Sequence, residues 1–92
     1  MAETKYPLTK DEWTQITSSN EYGFAYVKDQ AAHGNVLVAH GTSSEEMSKS
    51  IATKVFIKSP VYSGEPIVPD DSTDLYFATS LIDSADLYVE KI

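Results

Sequence analysis

An all-β fold, a compact antiparallel β-sandwich or barrel of about six to seven short strands, is what this 92-residue sequence predicts. Aromatic and β-branched runs recur at intervals of about ten residues, each bounded by Gly, Pro, Asn, Asp or Ser, which is the punctuation of strands and turns. No helical periodicity lasts long enough to bridge two parallel strands, so crossover α/β folds are excluded. The tripeptide Asp-Leu-Tyr occurs twice, at 74–76 and at 86–88, and opens an apolar run each time.

Residues 1–7 read as a flexible N-terminal arm, polar apart from Tyr6, and residues 8–92 as a single sandwich domain. Pro7 biases Tyr6 toward an extended backbone, and such an arm is expected to dock on a neighbour with Tyr6 as its anchor. Thr9 and Glu12 have the spacing of a capping box, so a helical turn precedes a first strand near Trp13–Thr17. Ser18 to Gly23 is a polar break, and Phe24–Lys28 resumes as a second strand. After the turn at His33-Gly34-Asn35, Val36–His40 is the most apolar strand and is expected to be central. Residues 43–51 carry two competing signals. Ser43 and Glu46 fit a capping box and Met47 stands four before Ile51, while the serines favour an irregular loop, which is the expectation here. Ile51–Lys58 alternates as a half-exposed strand ended by Ser59-Pro60. Pro66 and Pro69 lack ladder donors, so Gly64–Pro69 is an edge or arch.

The last two runs are expected to form a β-hairpin with a loop centred on Ile82. Phe77 then faces Leu87, Leu75 faces Val89 and Tyr76 faces Tyr88. That register puts Leu75, Phe77, Leu87 and Val89 on a core face, and Tyr76, Ala78, Tyr88 and Glu90 on the other.

Composition narrows the function classes. Seven basic against fourteen acidic residues give a net charge of −7, so the chain as a whole attracts neither nucleic acid nor an anionic membrane. With no cysteine, disulfides, thiolate catalysis and cysteine-ligated zinc are excluded together. There is no apolar run of about 18 residues and no signal-peptide pattern, which implies synthesis in the cytoplasm. No Gly-x-Ser-x-Gly elbow, phosphate loop or distinguished carboxylate pair is present, so the chain is expected not to be an enzyme, and no catalytic residue or cofactor is assigned.

Two weaker metal signals compete with structural readings. His33 and His40 would need carboxylates from distant loops to hold zinc, and otherwise read as a turn residue and a strand end. Asp70, Asp71 and Asp74 space oxygen ligands like the start of a calcium loop, yet the later glycine and glutamate of an EF-hand are missing; the simpler reading is a solvated turn. The aromatic load is more informative. Six tyrosines, three phenylalanines and one tryptophan favour an interface, because such side chains bury area while freezing few rotamers. Tyr6, Tyr22, Tyr26, Tyr62, Tyr76 and Tyr88 are the candidate contact residues.

Trp13-Thr14 after a short arm, the Val36–Gly41 strand and turn, the Gly64-Glu65-Pro66 arch and the closing Asp74–Ala78 and Asp86–Val89 strands give the chain a likeness. It resembles the small β-rich structural proteins of tailed bacteriophage virions, the group of capsid decoration and fibre-associated proteins. The resemblance implies a virion location and a homo-oligomer, often a trimer, bound to a larger viral shell or tail component without catalysis. Two alternatives from other classes are a carbohydrate-binding β-sandwich, with aromatics stacked on sugars, and an acidic inhibitor of a host nucleic-acid enzyme. Lysines interrupt the acids at Glu3-Thr4-Lys5 and Glu90-Lys91, which lowers the inhibitor reading.

Overall fold

The computed structural model describes residues 2–92. Its strands are β1 (Glu3–Thr9), β2 (Thr14–Gln15), β3 (Gly23–Tyr26), β4 (Val36–Gly41), β5 (Thr53–Val55), β6 (Glu65–Ile67), β7 (Leu75–Ser80) and β8 (Ser84–Lys91). They form two antiparallel four-stranded sheets, ordered β1-β8-β3-β6 and β2-β7-β4-β5, so the fold is all-β and sandwich-like with eight strands. The helical elements among the described residues are three single 3-10 turns. Isolated bridges from Lys10 to Ser80 and from Val27 to Ile57 tie the two sheets together at their corners.

Several expected elements are in place. β3 and β4 fall within two residues of the expected strands at every end, β4 is interior to its sheet, and the proline-bearing β6 is an edge. The expected loop at 43–51 holds two of the 3-10 turns, Ser44–Glu46 and Lys49–Ile51. The first starts where the capping-box spacing pointed: the Glu46 carboxylate accepts from the Ser43 N–H at 3.1 Å and from the Thr42 N–H at 2.6 Å.

The expected flexible arm is instead β1. From Glu3 onward it pairs residue for residue with β8, from Glu3 opposite Glu90 to Thr9 opposite Ser84; Met1 lies outside the described residues. The cause is period-two chemistry: Tyr6 and Leu8 turn toward the core, and Leu8 is 2% exposed.

The expected hairpin is also overturned. β7 pairs with β2 and β4, β8 pairs with β1 and β3, and the two belong to different sheets. Ser80, fully buried, makes the switch. Its hydroxyl donates to the Ile82 carbonyl at 2.7 Å and accepts from the Ile82 N–H at 3.1 Å, while the Leu81 N–H donates to the Asn35 carbonyl at 2.8 Å. The chain therefore arches from one sheet to the other. Phe77 and Leu87 do not share a face, and Tyr76 and Ala78 are the β7 residues that join Leu87 and Val89.

Two apolar layers result. Between the sheets, Leu8, Ile16, Val27, Val36, Val38, Val55, Ile67, Leu87 and Val89 pack around Tyr76 and Ala78. Outside the second sheet, Phe77 and Ala39 are covered by Met47, Trp13, Ala52 and Leu75, so the 3-10 turns act as a lid and the central strands β4 and β7 are buried on both faces. Among the described residues, the outer face of the first sheet has no such cover. Gly23 lies between β6 and β8, where a Cβ would collide with the Glu90 carbonyl oxygen, so strand approach there requires glycine.

Among the described residues, the Thr79 hydroxyl is the buried side-chain polar atom without a hydrogen-bond partner. In denaturant melts Phe77→Ala should lose about 3–5 kcal/mol, whereas Thr79→Val should be neutral or stabilising by up to about 1 kcal/mol. A Phe77→Ala loss under about 1 kcal/mol would show that the outer layer is not packed.

Candidate functional site

Residues paired across antiparallel strands point to one face, so register alone lays out the uncovered side of the first sheet. Glu3, Glu90, Phe24 and Pro66 form one cross-strand row, and Lys5, Tyr88 and Tyr26 form the next. The Ile92 N–H donates to the Tyr22 carbonyl at 2.9 Å, one step beyond the pair Gly23 and Lys91, and Val68 follows Ile67 on the other side of β3. Tyr22, Val68 and Ile92 therefore end the face as a third row, 45%, 56% and 81% exposed.

Charge and ring are interleaved on this face. Tyr26 and Tyr88 stack with centroids 6.3 Å apart, the Lys28 ammonium sits 4.3 Å above the Tyr88 ring, and the Lys58 ammonium sits 4.3 Å above the Tyr26 ring. The Glu3 carboxylate accepts from Lys28 at 2.7 Å and from the Tyr26 hydroxyl, and Lys58 pairs with Glu90 at 3.3 Å. Glu3, Tyr26, Val27, Lys28, Ile57 and Lys58 enclose a depression of about 310 Å³. The hydrogen bonds from Lys28 and then Tyr26 hold the Glu3 carboxyl below its ordinary value, and the same carboxylate raises Lys28. Burial, reinforced by Glu3, pushes the Tyr26 phenol up.

The face is electrically neutral, unlike the rest of the molecule. Lys5, Lys28 and Lys58 balance Glu3, Asp86 and Glu90 there, which leaves four of the seven basic and eleven of the fourteen acidic residues elsewhere. The whole net charge of −7 thus lies off this face.

The six tyrosines do not make one surface. Tyr22, Tyr26 and Tyr88 share the open face, although Tyr26 is only 2% exposed beneath its charged neighbours. Tyr62 stands apart, edge-on to Phe56 at 5.9 Å beside the fully exposed turn residue Val61. Tyr6 points coreward, and its hydroxyl accepts from Lys91 at 3.0 Å. Tyr76 is a core residue, not a contact residue: its hydroxyl both donates to the Val68 carbonyl and accepts from the Val68 N–H, each at 3.1 Å. Sequence reasoning missed Phe24, Val68, Ile92 and the lysines over the rings; the ring–lysine pairs lie far apart along the chain.

The histidines separate as well. His33 Nδ1 accepts from the Ile57 N–H at 3.1 Å and its ring leans on Phe56. His40, next to last in β4, stacks on Tyr76 at 4.9 Å, and its Nδ1 lies 2.9 and 3.0 Å from the two carboxylate oxygens of Asp74. Asp71 folds back on the Thr73 N–H and hydroxyl, as a solvated turn would, and Asp70 donates its N–H to Asp74 at 2.9 Å.

Acid should act on the paired carboxylates. Glu3, Asp11 and Glu21 all ionise below their ordinary values, Asp11 through Lys49 and Glu21 through the Ser18 N–H and then Lys91. A lowered folded-state pKa contributes stability that is present above the unfolded value and lost as pH falls through the folded one. Glu65, raised by burial, acts in the opposite sense: its contribution is present below its unfolded value and lost as pH rises. Carbon NMR titration of the carboxyl groups should place the Glu3 midpoint below 4.5 and the Glu65 midpoint above it; a reversed order would contradict the pairing.

Comparison of the chain with protein-family models, with curated proteins and with solved structures finds no match.

Proposed function

We propose that this chain is a non-enzymatic structural protein of a phage particle, of the capsid decoration type, which acts by meeting a second copy through the open face of the first sheet and by docking on a larger shell. The observation that carries the assembly reading is the neutral aromatic face on a molecule of charge −7. Two acidic copies repel wherever else they touch, whereas this face carries no net charge. The virion setting rests on the resemblance described above.

Sheet-edge pairing is the competing route to assembly, and the edges are blunted against it. β1 carries Lys5 and Pro7, β6 carries Pro66, and β2 and β5 are only two and three residues long. Sugar stacking is disfavoured because the ammonium groups of Lys28 and Lys58 already occupy faces of Tyr88 and Tyr26. A nucleic-acid mimic would need free acids in a row, yet Glu3, Asp11, Glu21 and Glu90 each pair with a lysine.

Size sets the strength of the contact. The seven, eight, four and three residues of β1, β8, β3 and β6, each covering about 4.8 by 3.3 Å, give a face of roughly 350 Å², hence roughly 700 Å² removed by a pair. That is below the range of stable interfaces, so a pair is weak alone and strengthened when many copies are held on one particle.

Sedimentation equilibrium of the whole chain, with recovery on virions, tests the reading. Tyr22→Glu and Val68→Glu, both at exposed positions, should each weaken self-association at least about tenfold, while Val61→Glu, on a turn away from the face, should not. A wild-type chain that stays monomeric and is not recovered with particles, or equal effects from all three variants, would overturn it.

A further inference from the structure

The end of β4 and the loop before β7 bring together donors that the chain order keeps apart. His40, Asp70 and Asp74 each offer a ligand atom within 4.8 Å of the other two. His40 and Asp74 lie 34 positions apart in sequence and meet because β4 and β7 are neighbours with His40 opposite Tyr76. We propose that these three side chains form a binding site for a first-row divalent transition-metal ion of the zinc type. The site lies beside the end of the assembly face, since Val68 there holds the Tyr76 ring that stacks on His40.

The first argument is charge. The Asp74 side chain is only 8% exposed, and a buried carboxylate is costly unless an opposite charge meets it. Among the described residues the group within ion-pair distance is His40, a cation only when protonated. A divalent ion held between the two side chains supplies that charge.

The second argument is geometry. Metal bonds of about 2.0–2.2 Å put ligand atoms of a tetrahedral ion roughly 3.4 Å apart. The His40 Nδ1 to Asp74 separations of 2.9 and 3.0 Å come within about half an ångström of that spacing. The Tyr76 ring stacked on the imidazole, itself locked by both Val68 hydrogen bonds, fixes the ring that offers Nδ1. Asp70 is exposed and completes the set by side-chain rotation, with water at the remaining positions.

The third argument is donor type. An imidazole nitrogen with two carboxylates suits zinc-like ions, whereas calcium takes six to eight oxygens. Asp71, which a calcium loop would use, is turned away onto Thr73.

Zinc added to the chelator-treated full chain, followed through the imidazole nitrogens by NMR and by thermal melting, tests the site. The expected result is one ion per chain, a large shift at His40 Nδ1 with His33 unmoved, and a raised melting temperature. Asp70→Asn and His40→Gln should each weaken zinc at least about tenfold, and Asp71→Asn should not. Asp70 is exposed, so its variant keeps the test valid if the His40 variant folds poorly. Zinc on His33 or on His40 Nε2, wild-type affinity in Asp70→Asn, calcium binding of equal strength, or no binding up to about 1 mM zinc would each overturn the proposal.

Discussion

The rest of the structure depends on one buried hydroxyl. Ser80 closes both of its hydrogen bonds on Ile82, and this turns the chain out of the second sheet and into the first within three residues. Because of that turn, β7 and β8 do not pair, and each becomes an interior strand of its own sheet. β8 can then accept β1 along seven residues on one side and β3 on the other. Without the turn, β7 would occupy one edge of β8, and the order β1-β8-β3-β6 could not form.

The two sheets are covered unequally, and this sets the functional surface. The middle of the second sheet carries the lid of 3-10 turns and is dry on both sides, while the first is dry only where it meets the second. Its other side must satisfy two demands, shielding the backbone and remaining compatible with water. Lysine ammonium groups set over tyrosine rings meet both, since they shade the ring faces while staying exposed and paired. The same arrangement cancels charge locally, so solvent shielding and readiness for a second copy have one cause.

How much of this was legible in the sequence depended on how many faces each strand buries. β4 reads as interior because Val36, Leu37, Val38 and Ala39 are all buried, and β6 reads as an edge because of Pro66. β8 is also clear, with Leu87 and Val89 buried and Tyr88 and Glu90 half-exposed. β7 defeated periodicity. Leu75 and Phe77 pack under the lid while Tyr76 and Ala78 pack between the sheets, so no alternation distinguishes its two faces, and a hairpin fitted the pattern as well as an arch. β1 was missed because its exposed Thr4, Lys5 and Pro7 outweigh the coreward Tyr6 and Leu8 in composition. The tyrosines signalled a residue type suited to contact, but their addresses depend on register. The proximity of His40 to Asp74 likewise follows from topology and leaves no local signature.

Through-space proton NMR contacts between backbone positions test the Ser80 arch most directly. The account predicts cross-strand contacts of Phe77 with Ala39 and Gln15, and of Leu87 with Tyr6, with none linking Phe77 to Leu87. A ladder joining Phe77 to Leu87 and Leu75 to Val89 would contradict it, because those pairs arise only if β7 and β8 form a hairpin within one sheet.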